Sequence, residues 1–205
     1  MSSAEEMAKI SASGSVTRKE AIRLAAARLF RAKGYAATGM RDLAGEVGVE
    51  AASLYNHIQS KSELLREICF RIAGEFTGQL DELQKDRELD SLQRLEQVVR
   101  FHIRMWVDRL DEVLVATNEN IHLEGSLQET FQKERRVYVR RLEAVISEGI
   151  REGLIEPIEP YVAVLTLMNS VRGIEFWHRT GKNVSADRLE EDMVELIISG
   201  LRRKI

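Results

Sequence analysis

Only two prolines, Pro157 and Pro160, occur in a chain of 205 residues, and they stand almost together. A proline inside a helix removes a hydrogen bond and clashes with the preceding turn, at a cost of about 3 kcal/mol. A chain so free of helix breakers, rich in Glu, Arg, Leu and Ala, is expected to be all-α. Hydrophobic residues make up 44% and charged residues 31%, the balance of a soluble globular protein. The single cysteine, Cys69, excludes a disulfide framework and a cysteine-built zinc site. No apolar run is long enough to span a bilayer, and residues 1–15 lack the apolar core of a signal peptide. These features predict a cytoplasmic protein without a membrane partner.

The net charge of −3 hides an uneven distribution. Residues 16–66 carry nine Lys or Arg and five Asp or Glu, a net +4, whereas residues 67–205 carry −6. A basic head on an acidic body points to a head that meets a polyanion.

Local signals divide the chain into about nine helices. Residues 1–15, rich in Ser and Ala, read as a flexible N-terminal arm. Thr17 and Glu20 have the spacing of a capping box, and Gly34 is placed to end the first helix as a left-handed cap. Thr38 is the next N-cap candidate, before Met40, Leu43, Ala44 and Val47. Gly48 stops that helix, and a second short one is expected from Glu50 or Ala51 to about Ile58. Ser60 and Glu63 form another capping box, opening a helix with Leu64, Leu65, Ile68, Ile72, Phe76, Leu80 and Leu83 on one face. Polar residues 84–91 break it. Residues 92–115 and 126–153 read as long amphipathic helices with a shorter segment around 117–124. After the proline turn, residues 161–180 form a helix apolar almost all round, and residues 186–203 a final amphipathic one. More apolar surface than one core needs predicts a dimer interface over residues 161–203.

Residues 38–58 have the makings of a helix-turn-helix. Ala44 is the small contact between helices, Gly48 supplies a turn that needs positive φ, and Leu43, Val47, Val49 and Leu54 pin the crossing angle. The surrounding stretch contains AARLFRAKGY, T-x-M-R-D-L-A, G-V-x-x-x-x-L-Y-x-H and S-K-x-E-L-L. Over residues 17–70 it closely resembles the N-terminal domain of the TetR family of bacterial repressors. The resemblance implies a helix-turn-helix DNA-binding domain at residues 16–62 and an effector-binding and dimerisation domain at residues 63–205. Two residues depart from the family pattern: Glu50 where Ser or Thr is usual as N-cap of the recognition helix, and Ile58 where Phe is usual.

Contacts to DNA sort into phosphate positioning and base reading. Arg18, Lys19, Thr38, Tyr55, His57 and Lys61 carry donors suited to phosphate, aided by the free N–H groups at the start of the helix after Ser60. Ala51, Ala52, Ser53 and Asn56 are the candidate base readers, Asn56 for adenine and the alanines for thymine methyls. Arg41 can reach guanine or phosphate.

In the larger domain, Phe101, His102, Met105, Trp106, Asn118 and His122 combine apolar walls with a few polar groups, as a small-molecule pocket requires. Aromatic and Met side chains at helical spacing are more often plain core than a binding box. Neither histidine has a partner at metal-ligand spacing, so no metal and no cofactor are expected. The run L-T-L-M-N-S-V-R-G-I-E-F-W-H-R-T-G-K, with S-A-D-R-L-E-E-D and I-I-S-G-L after it, is similar to TetR members that govern fatty-acid, sterol or aromatic-acid catabolism and respond to acyl-CoA thioesters. That similarity implies Arg172 and Trp177 as pocket residues. Arg135, Arg136, Arg140 and Arg141 offer further phosphate contacts, or a solvated face paired with Glu134 and Glu143. No paired acids, activated nucleophile or metal set argues for an enzyme. The expected function is a dimeric repressor of a palindromic operator, released by an inducer such as an acyl-CoA. A different lipophilic inducer, or a helical adaptor without DNA binding, remains the alternative.

Overall fold

A computed structural model describes residues 17–180 and 184–204. The expected N-terminal arm lies outside the described residues. The described chain forms α1 (Arg18–Lys33), α2 (Met40–Val47), α3 (Ala51–Leu54), α4 (Lys61–Lys85), α5 (Ser91–Asp108) and α6 (Leu110–Asn118). A 3-10 turn at Asn120–His122 leads to α7 (Ser126–Glu152), α8 (Pro160–Arg172), α9 (Ile174–Arg179) and α10 (Ala186–Leu201). The protein is all-α, as the scarcity of proline implies.

Most helix ends sit where the capping chemistry puts them. Thr17 Oγ1 accepts the Glu20 N–H at 3.2 Å, and Ser60 Oγ accepts the Glu63 N–H at 3.1 Å. Glu63 reaches back one residue further than a capping box requires, accepting from the Gln59 N–H at 2.7 Å. Gly48 adopts the left-handed conformation, φ 73° and ψ 38°, that turns the chain between α2 and α3. Gly34 also has positive φ, 83°, but with ψ 151° it leaves α1 extended rather than in a left-handed cap.

Four expectations are corrected. The N-cap of α2 is Gly39, not Thr38: the Asp42 carboxylate takes the Gly39 N–H at 2.8 Å, while Thr38 is buried. α3 ends at Leu54, and the expected helix continues to Ile58 only as turns, with the His57 and Ile58 N–H groups both bonded to the Leu54 carbonyl. The helix expected over 92–115 breaks at Arg109, whose φ −128° and ψ 35° leave the helical region. The helix expected over 161–180 is two, α8 and α9, joined at Gly173. Periodic apolar patterning continues through both breaks, so it gives no sign of them.

The chain divides into two compact units, Met1–Ala73 with Asp111–Gln132, and Gly74–Leu110 with Lys133–Ile205. In the first, Ile22, Ala26, Phe30, Leu43, Leu54, Ile58, Leu64 and Ile68 form a fully enclosed core. The segment 111–132 joins it through polar links. Arg23, buried in α1, pairs with the buried Glu112 and also with Glu20 at 3.0 Å. Arg31 meets Asp111 at 2.6 Å, and Glu119 accepts the Tyr35 N–H at 3.1 Å. In the second unit α5 packs against α8, α9 and α10. Leu95, Val98, Val99, Ile103, Leu142, Ile146, Leu167 and Ile198 are enclosed in its core. Glu190 on α10 receives Arg100 at 3.2 Å and Arg104 at 2.9 Å from α5.

Removing one member of a buried ion pair strands a charge, whereas replacing both with apolar groups does not. Glu112→Ala is therefore expected to lower the unfolding free energy by about 3 kcal/mol, Glu20 offsetting part of the loss. Arg23→Met combined with Glu112→Leu should cost markedly less. Urea denaturation of the single and double variants measures the difference, and equal losses would show that the charges do not act as a pair.

Candidate nucleic-acid interface and effector site

α2 and α3 are built as a rigid corner. The Val49 N–H returns to the Ala44 carbonyl at 2.9 Å, and the Gly48 N–H to Gly45 at 3.2 Å, closing the turn. Leu43, Ala44, Leu54 and Ile58 are buried beneath it, and Val47 and Val49 are half-buried. A helix as short as α3 has little stability of its own. Its position is imposed by Leu54 and Ile58 below and by the Gly48 turn before it.

This anchoring leaves one face outward. Ala52, Tyr55, Asn56 and His57 are exposed, Tyr55 to 55%, and Ala51 and Ser53 are half-buried beside them. At this exposure Tyr55 is not a core aromatic. Arg18 and Arg41 are also exposed. The candidate base readers and the Tyr55–His57 donors thus share a single patch.

Three expected phosphate donors sit differently. Thr38 is 1% exposed and its hydroxyl donates to the Gly34 carbonyl at 2.8 Å, so it fastens the α1–α2 loop instead of facing outward. The Lys61 ammonium donates to the Tyr35 carbonyl at 2.9 Å and the Thr38 carbonyl at 2.8 Å. It also lies 4.3 Å from the centre of the Tyr35 ring, a cation–π contact. Lys61 therefore locks the start of α4 to the loop after α1, with at most one of its three donors left for a phosphate. Lys19 is exposed but bonded to Glu67 at 2.5 Å and lies 3.7 Å from Glu63. The bond to Glu67 holds its ammonium above the usual lysine range, although partial desolvation opposes the shift.

Two more basic residues of the head are also held by carboxylates. Arg28 meets Glu46 at 3.2 Å and Lys33 meets Asp42 at 2.9 Å. The Lys33 contact, aided by the Gly39 N–H, holds the Asp42 carboxyl below its usual range. Segment 111–132 brings five carboxylates and no Lys or Arg into the same unit, offsetting the +4 of residues 16–66. The positive character available to DNA is local, not a property of the whole unit.

The expected effector residues separate between the units. Asn118 is exposed in the first unit, and His122 stacks there on Tyr35 with ring centres 5.2 Å apart. Phe101, His102, Met105, Trp106, Arg172 and Trp177 belong to the second. Met105 and Trp106 are buried as core, and the Trp106 carbonyl is bonded to His178 Nε2 at 3.2 Å. Trp177 is half-buried with its indole N–H committed to the Val184 carbonyl at 3.1 Å, and Arg172 is exposed in the last turn of α8. Arg135, Arg136 and Arg140 are exposed on α7, whereas Arg141 bonds Asp81 at 2.5 Å and Gln84 at 2.6 Å. Burial pushes His102 down to about 3, and its Nε2 lies 2.8 Å from the Tyr138 hydroxyl. Tyr138 is absent from the sequence expectations because a tyrosine on an Arg-rich helix carries no pattern of its own. Among the described residues no His, Cys, Asp and Glu group could hold a metal ion, and no helix is long and apolar enough to cross a membrane.

Residues 22–68 match the bacterial regulatory proteins of the tetR family, and residues 88–201 match the tetracyclin repressor-like C-terminal domain. The chain belongs to the TetR family. It is a transcriptional regulator and not an enzyme. Among relatives, the HTH-type transcriptional repressor KstR2 of Rhodococcus jostii is 27% identical over 178 residues, covering 86% of this chain and 87% of that protein. The ketosteroid transcriptional regulator KstR2 of Mycobacterium tuberculosis shares the fold with a TM-score of 0.83 at 20% identity, covering 93% of this chain and 98% of that one. AibR, solved in complex with isovaleryl coenzyme A and operator DNA, gives a TM-score of 0.74 at 28% identity over 88% of this chain and 97% of its own.

Within this TetR-family head, Glu50 is the N-cap of α3 and makes no side-chain cap bond. A serine there accepts an N–H of the first turn, worth about 1 kcal/mol, and removes a negative charge beside the outward patch. Glu50→Ser is expected to tighten binding to non-specific duplex DNA by about two- to fivefold at fixed salt. Fluorescence anisotropy on a labelled duplex measures it, and an unchanged or weaker affinity would separate Glu50 from the DNA face.

Proposed function

We propose that the protein is a homodimeric, ligand-released repressor whose inducer is an acyl-CoA thioester. The observation that carries the DNA half is the patch of Ala52, Tyr55, Asn56 and His57, held outward over the buried Leu54 and Ile58. In this reading Ala51, Ala52, Ser53 and Asn56 read base edges, while Arg18, Arg41, Tyr55 and His57 position the backbone. Lys19 joins them by exchanging its carboxylate partners for phosphate, and Lys61 with Thr38 holds the corner in shape. A two-fold dimer presents two such corners to half-sites about 34 Å apart.

The dimer reading rests on exposed apolar side chains in one part of the chain. Tyr161, Val162 and Leu165 stand out on α8, Phe176 on α9 to 69% and Leu196 on α10 to 74%. Large apolar side chains left this exposed support an interaction site. It falls within the residues 161–203 expected to self-associate.

The acyl-CoA reading is supported by AibR, a 28% identical relative held with isovaleryl coenzyme A and operator DNA. Arg172 and the exposed Arg135, Arg136 and Arg140 are guanidinium groups suited to the CoA phosphates. The ligand selects among conformations, and the one it favours fits adjacent major grooves less well. Release requires that differential affinity and nothing more.

Two measurements test the proposal. On a palindromic duplex selected from a random library, Asn56→Ala should cost about 1–3 kcal/mol and relax preference at one base pair. Tyr55→Phe should weaken all sequences alike; a base preference unchanged in Asn56→Ala would remove α3 from base reading. Separately, Leu196→Glu with Phe176→Ser is expected to convert the protein to monomers in sedimentation and to lower operator affinity at least about tenfold. A dimer that survives both changes places the interface elsewhere.

A further inference from the structure

Inside the second unit, four rings from three helices form a cluster that neither DNA binding nor self-association uses. Phe76 of α4 stacks on His102 of α5 with ring centres 4.4 Å apart, and meets Phe101 edge-on at 5.7 Å. Tyr138 of α7 completes the group, 6.0 Å from Phe76 and 5.8 Å from His102. The two polar members are the buried ones, His102 at 3% and Tyr138 at 8% exposure, while the two phenylalanines stay half-buried. This inverts the usual order, in which apolar rings are enclosed and polar tips reach water.

The polar pair is neutral. Desolvation pushes His102 down to about 3 and raises the Tyr138 phenol, so neither carries charge at physiological pH. They share one hydrogen bond, His102 Nε2 to Tyr138 Oη at 2.8 Å. His102 Nδ1 makes no other hydrogen bond among the described residues. A neutral imidazole has one N–H and one lone pair. When the Tyr138 hydroxyl donates to Nε2, Nδ1 carries the hydrogen and can donate. When Nε2–H donates to Tyr138, Nδ1 is an acceptor. Two tautomers of one pair therefore serve a carbonyl or a hydroxyl equally. Neither serves a carboxylate well: no cation lies among the four rings to offset its desolvation, and Arg141, whose charge is felt at Tyr138, is committed to Asp81 and Gln84.

We propose that the Phe76–Phe101–His102–Tyr138 cluster is the selectivity element of the effector site, receiving an uncharged oxygen, carbonyl or hydroxyl, on an apolar ligand. The inference rests on the effector-sensing reading above and narrows the ligand class: the part held by α4, α5 and α7 is an apolar group bearing a neutral oxygen. His102 and Tyr138 are binding groups here, and Phe76 and Phe101 supply the apolar wall.

The test uses the full chain without DNA, so its failure is separate from any failure of operator binding. Probes are 2-decanone, 2-decanol and decanoate, followed by calorimetry and by the nitrogen NMR shifts of the His102 imidazole. The ketone and alcohol are expected to bind and to move the Nδ1 resonance in opposite directions, one reporting a donor and the other an acceptor or mixed tautomer. Tyr138→Phe, which keeps the ring, and His102→Leu should each weaken the ketone about tenfold. His102→Gln, which retains a neutral donor and acceptor, should stay within about threefold of the parent. Thermal unfolding of each variant establishes that it is folded. Absence of ketone binding, equal ketone affinity in Tyr138→Phe and the parent, or a decanoate-induced shift at His102 as large as the ketone's would overturn the proposal.

Discussion

The buried pair between Arg23 and Glu112 decides how the chain is divided. A guanidinium enclosed in α1 has to be neutralised by something, and the residue that does so lies far along the sequence, in α6. Once that carboxylate is required, Asp111 and Glu119 follow it onto α1 and its loop through Arg31 and the Tyr35 N–H. The DNA-binding corner is consequently not a free three-helix module. It shares its compact unit with segment 111–132. Any event that displaces α6 must either carry α1 with it or leave a charge buried alone, and the second course is expensive. Ion pairing thus gives α6 a physical grip on the head beyond the covalent continuity of α4.

The same pairing changes what the basic head means. Nine cations against five anions look like a polyanion-binding surface when only residues 16–66 are counted. In the folded unit Lys19, Arg23, Arg28, Arg31 and Lys33 all have carboxylate partners. Their charge goes chiefly into holding helices together. Arg18 and Arg41, with the hydroxyl and imidazole of Tyr55 and His57, are what faces outward. A few donors in a fixed arrangement orient a protein on a duplex more selectively than a diffuse positive field does.

Local chemistry was readable in the sequence wherever a single turn of chain decides the outcome. Thr17, Ser60 and Gly48 do what their side chains or backbone freedom dictate, and the apolar periodicity of α1, α2, α4 and α7 matches their buried faces. The misses fall on breaks and contacts that neither composition nor apolar period announces. The break at Arg109 has no proline or glycine to announce it, and the one at Gly173 falls within an uninterrupted apolar pattern. Thr38 and Lys61 have the chemistry of phosphate donors, but Gly34, Tyr35 and Thr38 carbonyls claim their hydrogens. His102 and His122 look equivalent in a list of residues, yet one meets Tyr138 and the other Tyr35 in different units.

Short α3 shows how these constraints converge on function. Four residues cannot hold a helix by their own hydrogen bonds, and Glu50 makes no cap bond to help. The conformation is imposed instead by Leu54 and Ile58, both enclosed, and by a loop after α1 that Lys61 and Thr38 fasten. Ile58 fills a site where the family usually has the larger Phe, so the packing below the outward face has its own shape in this chain. The side chains proposed to read bases inherit their positions from that packing. In that reading, the geometry with which Asn56 would address a base pair is set from inside the protein, by the enclosed Leu54 and Ile58.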